Sequence, residues 1–221
     1  MSIKDNLLKI KSSLPSNVTL VAVSKTKPVS DLMLAYEAGQ RIFGENKVQE
    51  MTEKWQQMPK DIEWHMIGHV QSNKVKYIIP YVKLIHGVDS LKLLIEINRL
   101  AKKWLKTINC LLQIHIEEEE TKFGLNEVEL VEILHFITEE TNEIKNIKIV
   151  GLMGMATFTE NQDQIKREFY HLKSIFDKHN SLNTINCQMN TLSMGMSGDY
   201  SLAIYCGSTM VRIGSSIFGS R

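Results

Sequence analysis

The chain has 221 residues, of which 43% are hydrophobic and 23% are charged, an ordinary composition for a globular protein. Its 26 basic and 25 acidic residues give a net charge of +1, so the composition favours neither a nucleic acid nor an anionic membrane as a partner. Only 4 prolines leave little material for a linker, and a single domain over residues 1–221 is predicted. Small molecules remain as the expected class of ligand.

Cysteine usage and the N-terminal pattern indicate the cellular compartment in which the protein is expected to act. The three cysteines are an odd number without CxxC spacing, which argues against a disulfide framework and against a structural zinc site: Cys110, Cys187 and Cys206. Residues 1–14 place charges between apolar residues at helical spacing, unlike a signal peptide, and no apolar run is long enough to span a membrane. We therefore expect a cytoplasmic protein that begins with an amphipathic helix.

Strand patterns alternate with helix patterns along the rest of the chain. The predicted strands cover residues 20–23, 41–46, 62–68, 82–89, 108–116, 147–156, 191–197 and 210–219. The predicted helices that follow all but the last strand cover residues 29–39, 47–57, 71–79, 90–105, 126–139, 162–179 and 200–206. Such alternation favours parallel pairing, and eight repeats favour a closed (β/α)8 barrel, a TIM barrel of the α/β class, with an extra N-terminal helix. The alternative is an open doubly wound sheet, but no GxGxxG motif follows the first strand.

The stretch VAVSKTKP, residues 21–28, places Lys25 where the first buried strand ends. A lysine at such a rim is partly desolvated, which lowers the pKa of its amine toward the range where the neutral form attacks a carbonyl. That pattern indicates Schiff-base chemistry. The alternative is a lysine that keeps its charge in water while its stem covers apolar surface.

Ligands of (β/α)8 barrels bind at the C-terminal ends of the strands, and loops after strands seven and eight commonly hold a phosphate. This rule selects the following residues: Lys25, Asn46, His69, Asp89, Met155, Ser197, Gly214 and Ser215. In SMGMSGD and RIGSS, small residues let peptide N–H groups approach an anion, and Ser197 adds a hydroxyl where a helix begins. The alternative for both motifs is turn chemistry and helix capping.

Two further groups of polar residues need an interpretation. Arg212 lies two residues before Gly214, so both share one strand face inside the predicted barrel. There Arg212 contacts either the ligand or an acidic partner in an internal salt bridge. His65 and His69 straddle a strand end without the glutamate of HExxH, so no metal site is predicted. The acidic run at 117–120 is predicted to be a solvated loop.

Four segments, VAVSKTKP, FGEN, SMGMSGD and GSTMVRIGSSIFG, closely resemble in order and spacing the pyridoxal phosphate homeostasis proteins, also called YggS/PROSC-type or PLP-binding proteins. The segment WHMIGHVQSNK and the KFG at Lys122 match as well, so the resemblance covers essentially the whole chain. This family resembles the N-terminal barrel domain of alanine racemase standing alone. The resemblance therefore implies the same TIM-barrel fold.

The resemblance also implies roles for individual residues. Lys25 would carry pyridoxal 5'-phosphate (PLP) as a covalent aldimine, Asn46 would lie beside the cofactor ring, and Met196 would line the pocket. Arg212 would face the pyridine nitrogen. The residues implied to bind the phosphate are Ser197, Gly214 and Ser215. The family often has threonine in place of Ser215, and the serine hydroxyl should serve equally.

The implied position of Arg212 bears on activity. A guanidinium does not accept a proton, so the pyridine nitrogen should stay unprotonated and the ring should be a poor electron sink. Alanine racemase takes its second acid/base from a C-terminal β-domain at a subunit interface, and no such domain is expected after Arg221. The resemblance thus implies a monomeric PLP-binding protein of vitamin B6 homeostasis without robust turnover, with PLP-dependent apoenzymes as recipients.

Two alternatives remain open from the sequence. One is a PLP-dependent amino-acid racemase of fold type III that uses Tyr200 or His69 as its second base. The other is a phosphosugar-binding barrel that uses Ser197 and Gly214 but not Lys25. Exchange of the substrate α-proton would favour the first, and the absence of a covalent adduct would favour the second.

Overall fold

The computed structural model describes residues 2–116, 123–139 and 143–219. The strands in this part of the chain are β1 Thr19–Val23, β2 Ile42–Glu45, β3 Glu63–Met66, β4 Val82–Val88, β5 Ile108–Gln113, β6 Ile147–Met153, β7 Asn183–Thr184, β8 Cys187–Met196 and β9 Met210–Ile213. The α-helices are α1 Ile3–Ser13, α2 Val29–Glu37, α3 Val48–Gln57, α4 Leu91–Lys103, α5 Glu127–Thr138, α6 Gln162–His179, α7 Tyr200–Tyr205 and α8 Ser215–Phe218. A 3-10 helix, Ser72–Tyr77, connects β3 and β4.

Eight of these strands form a closed parallel barrel. The sheet order is β6-β5-β4-β3-β2-β1-β9-β8, and β8 pairs with β6 to close the ring. The two-residue strand β7 pairs antiparallel with β8 outside the ring. The predicted (β/α)8 barrel of the α/β class, with its extra N-terminal helix α1, is therefore confirmed.

Two apolar layers explain why the strands read as nearly continuous hydrophobic runs. The inner layer fills the barrel with Val21, Leu84, Leu111, Met153 and Met210. The neighbours of Val21 along β1, Leu20 and Ala22, belong instead to the outer layer between strands and helices. Strands of parallel sheets are buried on both faces in this way.

The helices cover the barrel through apolar stripes. In α6 the apolar residues at helical spacing are buried in the outer layer: Ile165, Phe169, Leu172 and Phe176. Asn161 caps this helix by accepting a hydrogen bond from the Gln164 N–H at 3.2 Å. A side-chain cap at this position satisfies one of the unpaired N–H groups of the first turn.

The predicted boundaries differ most from the observed ones in three places. Strand β9 ends at Ile213 and α8 begins at Ser215, so Gly214 and Ser215 follow the strand instead of lying within it. Residues 71–79 were predicted to be an α-helix but contain a six-residue 3-10 helix, and Pro80 disfavours helical backbone in the residue before it. The seventh barrel strand, β8, begins at Cys187 instead of 191 because it also pairs with β7.

Several predictions from the sequence stay predictions. The acidic run at 117–120 and Lys122 lie outside the described residues, as does Arg221. That residues 1–221 form one PLP-binding domain stays a prediction. Among the described residues, no helix is both long and apolar enough to cross a membrane.

Candidate functional site

A cavity of about 410 Å³ opens at the C-terminal ends of the barrel strands. All seven predicted cofactor-binding residues line it: Lys25, Asn46, Met196, Ser197, Arg212, Gly214 and Ser215. Met155, which the barrel rule also selected, lines it too. Sequence reasoning did not single out Lys27, Phe158 or Asp199, which are further lining residues, although Lys27 and Asp199 lie inside the quoted motifs.

Lys25 lies in a tight turn that directly follows β1. The turn covers residues 24–27 and is closed by a hydrogen bond from the Lys27 N–H to the Ser24 carbonyl at 3.0 Å. Lys25 is half-buried, and Thr26 after it has a φ of +65°. A β-branched residue at positive φ is strained by about 1 to 3 kcal/mol. The proposed reactive lysine therefore precedes a strained residue.

A buried ionic cluster lies beneath this turn. Lys54 of α3 donates three hydrogen bonds of 2.7 Å each, to the Ser24 carbonyl, to Glu45 Oε1 and to Glu50 Oε1. The Ser24 hydroxyl also donates to Glu45 Oε1 at 2.6 Å, and the Thr26 N–H donates to Glu50 Oε1 at 2.6 Å. Both residues that flank Lys25 are thus bonded to the cluster.

Glu45 is the most buried member of this cluster. Its side chain is 0% exposed, and its Oε2 atom has no hydrogen-bond partner among the described residues. Burial raises the pKa of Glu45, and the charge of Lys54 with the hydrogen bonds from Lys54 and Ser24 acts against that rise. The carboxylate consequently depends on Lys54 for its charge compensation.

Ser197 organises the opposite wall of the cavity. Its Oγ accepts hydrogen bonds from the N–H groups of Gly214, at 3.1 Å, and of Ser216, at 3.5 Å. The Met196 N–H donates to Asp199 Oδ1 at 2.5 Å, which fixes the chain as β8 turns into α7. Peptide N–H groups and serine hydroxyls therefore converge at one end of the cavity, as an anion requires.

Arg212 forms part of the cavity floor. Its Nη1 donates to the Ser193 carbonyl at 2.9 Å and to Ser193 Oγ at 2.7 Å, and its Nη2 donates to the Gly154 carbonyl at 3.0 Å. Burial lowers the pKa of Arg212 to about 10, and the charge of Asp199 acts in the opposite direction. The guanidinium stays protonated at neutral pH. Among the described residues it has two N–H donors left after these three bonds.

Two buried histidines extend this contact across the barrel. His86 Nδ1 lies 3.2 Å from Ser193 Oγ, and His86 Nε2 lies 3.1 Å from His65 Nδ1. Burial lowers the pKa of His65 to about 3 and lowers that of His86 well below its usual value. Both imidazoles are therefore neutral. Sequence reasoning missed His86 and Ser193, and inward-facing alternation in their strands is the signal that could have selected them.

The other rim candidates do not line this cavity. His69 Nδ1 pairs with Asp89 Oδ2 at 2.8 Å, and the His69 ring stacks on Phe123 with centroids 4.1 Å apart. Tyr200 begins α7 and packs against the outer apolar layer. The described residues contain no group of three or more side chains placed to hold a metal ion. The absence of a metal site stays a prediction.

Residues 1–221 match the family model described as alanine racemase, N-terminal domain. The chain belongs to this family. Within it, the chain is 36% identical to a pyridoxal phosphate homeostasis protein of Pasteurella multocida, over 100% of this chain and 98% of that protein. It is 37% identical to the protein of that name from Escherichia coli K12, over 94% of this chain and 87% of the relative.

Solved structures of similar proteins agree with the fold. PipY of Synechococcus elongatus PCC7942, solved with PLP bound, is 31% identical with a TM-score of 0.89, over 99% of this chain and 100% of PipY. Alanine racemase from E. faecalis is 16% identical with a TM-score of 0.73, over 99% of this chain and 58% of that chain. The second likeness shows the barrel fold alone. The resemblance predicted from the four sequence segments is confirmed.

Proposed function

We propose that this protein binds PLP and serves PLP homeostasis, with Lys25 as the residue that holds the cofactor covalently. The observation that carries the proposal is the convergence of a lysine amine, an anion-binding end and a buried guanidinium in one cavity. The names of the relatives in P. multocida and E. coli and the PLP bound to PipY support it.

The covalent step needs only Lys25 and the aldehyde of PLP. The neutral Nζ atom attacks the aldehyde carbon, a C=N bond replaces the C=O bond, and the aldehyde oxygen leaves as water. PLP supplies an electrophilic aldehyde and, once bound to an amine, a ring that withdraws electrons. The turn at residues 24–27 holds Lys25 in the lining of the cavity, where its amine would meet the aldehyde of a bound ligand.

The phosphate would bind at the wall formed by Ser197 and the start of α8. The N–H groups of Gly214 and Ser216 are already directed toward Ser197 Oγ, and Ser215 adds a hydroxyl. A phosphate accepts hydrogen bonds from both kinds of donor.

Arg212 would orient the ring and limit catalysis. Its guanidinium is fixed by Ser193 and Gly154, and it remains protonated at neutral pH. A ring nitrogen that faces it accepts a hydrogen bond and takes no proton from it, which weakens carbanion stabilisation. Asn46 and Met196 line the cavity beside this position. The protein is accordingly proposed to be a carrier and not an enzyme with robust turnover.

The proposal also covers the cellular location, the oligomeric state and the recipients of PLP. The protein would act in the cytoplasm as a monomeric single domain over residues 1–221 and deliver PLP to PLP-dependent apoenzymes. The near-balanced charge, +1 overall, supports a role without nucleic acid or membrane partners.

The deciding experiment mixes the purified protein with PLP, records the visible spectrum, and reduces the product with borohydride before peptide mapping. We expect a Schiff-base absorption band and a reduced adduct on Lys25, both absent in Lys25→Ala. Lys27→Ala is the matched control, because Lys27 lines the same cavity two residues away and its loss should leave the adduct on Lys25. An adduct scattered over several lysines would contradict the proposal.

A second measurement separates the carrier from a racemase. Amino acids are incubated with the PLP-loaded protein in deuterated water, and α-proton exchange is followed by NMR. The carrier predicts exchange far below enzymatic rates. Rapid exchange that is lost in Tyr200→Phe or His69→Asn would establish the racemase instead.

A further inference from the structure

We infer that Glu50 and Lys54 of α3 are positioning residues for Lys25, because they hold the turn at residues 24–27 in a backbone conformation that the turn would not keep by itself. This inference rests on the proposed role of Lys25 and adds two residues to that site. Neither Glu50 nor Lys54 lines the cavity, so each acts through the backbone of the turn.

The backbone of the turn is strained at Thr26. Thr26 has a φ of +65° in a hydrogen-bonded turn, a region that glycine and asparagine adopt easily and β-branched residues avoid. Such a conformation persists only where surrounding contacts impose it. Thr26 is itself exposed, so packing of its side chain does not impose it.

Two hydrogen bonds to side chains of α3 hold the turn in this conformation. The Thr26 N–H donates to Glu50 Oε1 at 2.6 Å, and the Ser24 carbonyl accepts from Lys54 Nζ at 2.7 Å. These two bonds hold the residues immediately before and after Lys25. Lys54 also joins Glu50 to the buried Glu45 at 2.7 Å each, so the whole support is anchored in α3 and β2.

These contacts also constrain Lys25. If both flanking residues are fixed, the direction of the Lys25 Cα–Cβ bond is fixed as well, so the side chain extends from the cavity wall before any ligand arrives. Preorganised attack geometry of this kind accelerates a reaction, and a displacement of about 1 Å can cost 10²-fold in rate. Loosening the turn should therefore slow condensation with PLP without removing the anion-binding end.

The test compares four single variants after bound PLP has been removed with hydroxylamine. Glu50→Ala deletes the acceptor for the Thr26 N–H, and Glu50→Gln keeps an oxygen at that position. Glu53→Ala is the matched control, since Glu53 is an exposed residue of the same helix bonded to Gln49. Thr26→Gly removes the steric strain and is also combined with Glu50→Ala.

Two readouts are recorded for each variant. One is the rate of Schiff-base formation with PLP, followed by absorbance. The other needs no cofactor: trace acetic anhydride converts the Lys25 amine to its acetamide with release of acetate, and mass spectrometry gives the pH profile of Lys25 labelling. Thermal denaturation of each variant identifies any loss of folding.

We expect Glu50→Ala to slow condensation roughly tenfold and to move Lys25 labelling toward the profile of an exposed lysine. Glu50→Gln should restore most of the rate, and Glu53→Ala should match the wild type. In the Thr26→Gly background the effect of Glu50→Ala should fall to less than half, because glycine adopts the turn without support. Equal effects in both backgrounds, or a Glu50→Ala variant that only loses thermal stability, would overturn the inference.

The two proposals fail in different ways. If the wild type forms no adduct on Lys25, the proposed function is wrong, and the acetylation profiles still decide whether Glu50 positions the lysine. If the adduct forms on Lys25 at equal rates in the wild type and Glu50→Ala, the function stands and this inference fails.

Discussion

Removing the positive charge beneath the lysine turn should destabilise the protein strongly. In Lys54→Met the side chain of Glu45, 0% exposed, keeps only the Ser24 hydroxyl as a partner among the described residues. Breaking a buried ion pair by removing one partner costs about 3 to 5 kcal/mol. A chain of this size loses about 2 to 4 °C in Tm per kcal/mol, so a fall of about 6 to 20 °C is expected by calorimetry or circular dichroism.

The same variant should show a diagnostic pH dependence. Burial already raises the pKa of Glu45 above 4.5, and loss of Lys54 raises it further. A carboxyl group whose pKa is higher in the folded than in the unfolded protein stabilises the fold fully at a pH below its unfolded pKa. That contribution is lost as the pH rises through its folded pKa. The free energy of unfolding that Lys54→Met loses relative to the wild type should therefore be smaller at pH 5 than at pH 8, as measured by urea denaturation.

A double-mutant cycle tests the reason for the effect. Adding Glu45→Gln to Lys54→Met removes the unpaired charge, so the double variant should recover a large part of the lost stability. The control is Lys102→Met, which removes an exposed lysine paired with Glu143 and should change the free energy of unfolding by less than about 1 kcal/mol. The reasoning is refuted if Lys54→Met loses no more stability than the control, or if its deficit is the same at both pH values.

Three other outcomes are expected. Stability should fall as the pH drops from 6.5 toward 3, because the pKa of His65 is lowered to about 3 in the folded protein and the unfolded chain binds the proton first. In His65→Gln the free energy of unfolding, measured by urea denaturation, should fall less steeply over this pH range. Gly151→Ala should abolish soluble expression, because its Cβ would lie 1.7 Å from the Thr191 carbonyl oxygen at a φ of +157°, whereas Gly198→Ala, with open space, should express normally. Ser197→Ala should weaken PLP binding by about 10-fold or more while binding of pyridoxal, which lacks the phosphate, changes little; equal losses for both ligands in a fluorescence titration would contradict the phosphate assignment.

The strands and the main helices could be predicted because their signals are local. The buried stripe of α6 follows helical spacing, and its bounds, Gln162–His179, are those predicted. The end of β9 was missed because Ile213 and Ile217 are both buried apolar residues, and periodicity in so short a segment does not separate a strand from a four-residue helix.

The supports of the site could not be predicted, since they join residues that are distant in the chain. Lys54 is 30 residues from Ser24, and His86 is 107 residues from Ser193. A buried lysine in α3 has the same local sequence pattern as a solvated one, and only tertiary packing distinguishes them. The motif around Lys25 pointed to the residue proposed to be reactive but carried no signal for the groups that hold it.

Barrel closure explains why segments from opposite ends of the chain form one cavity. Strand β1 pairs with β9 so that Val21 lies opposite Arg212, and β9 pairs with β8 so that Arg212 lies opposite Met196. Parallel strands in register end at the same rim, so the turn that bears Lys25 is adjacent to Gly214 and the loop after β8. An open sheet would leave its two edge strands unpaired. The closed parallel topology is thus what brings Lys25 to Ser197, Gly214 and Ser215, the residues proposed to bind the phosphate.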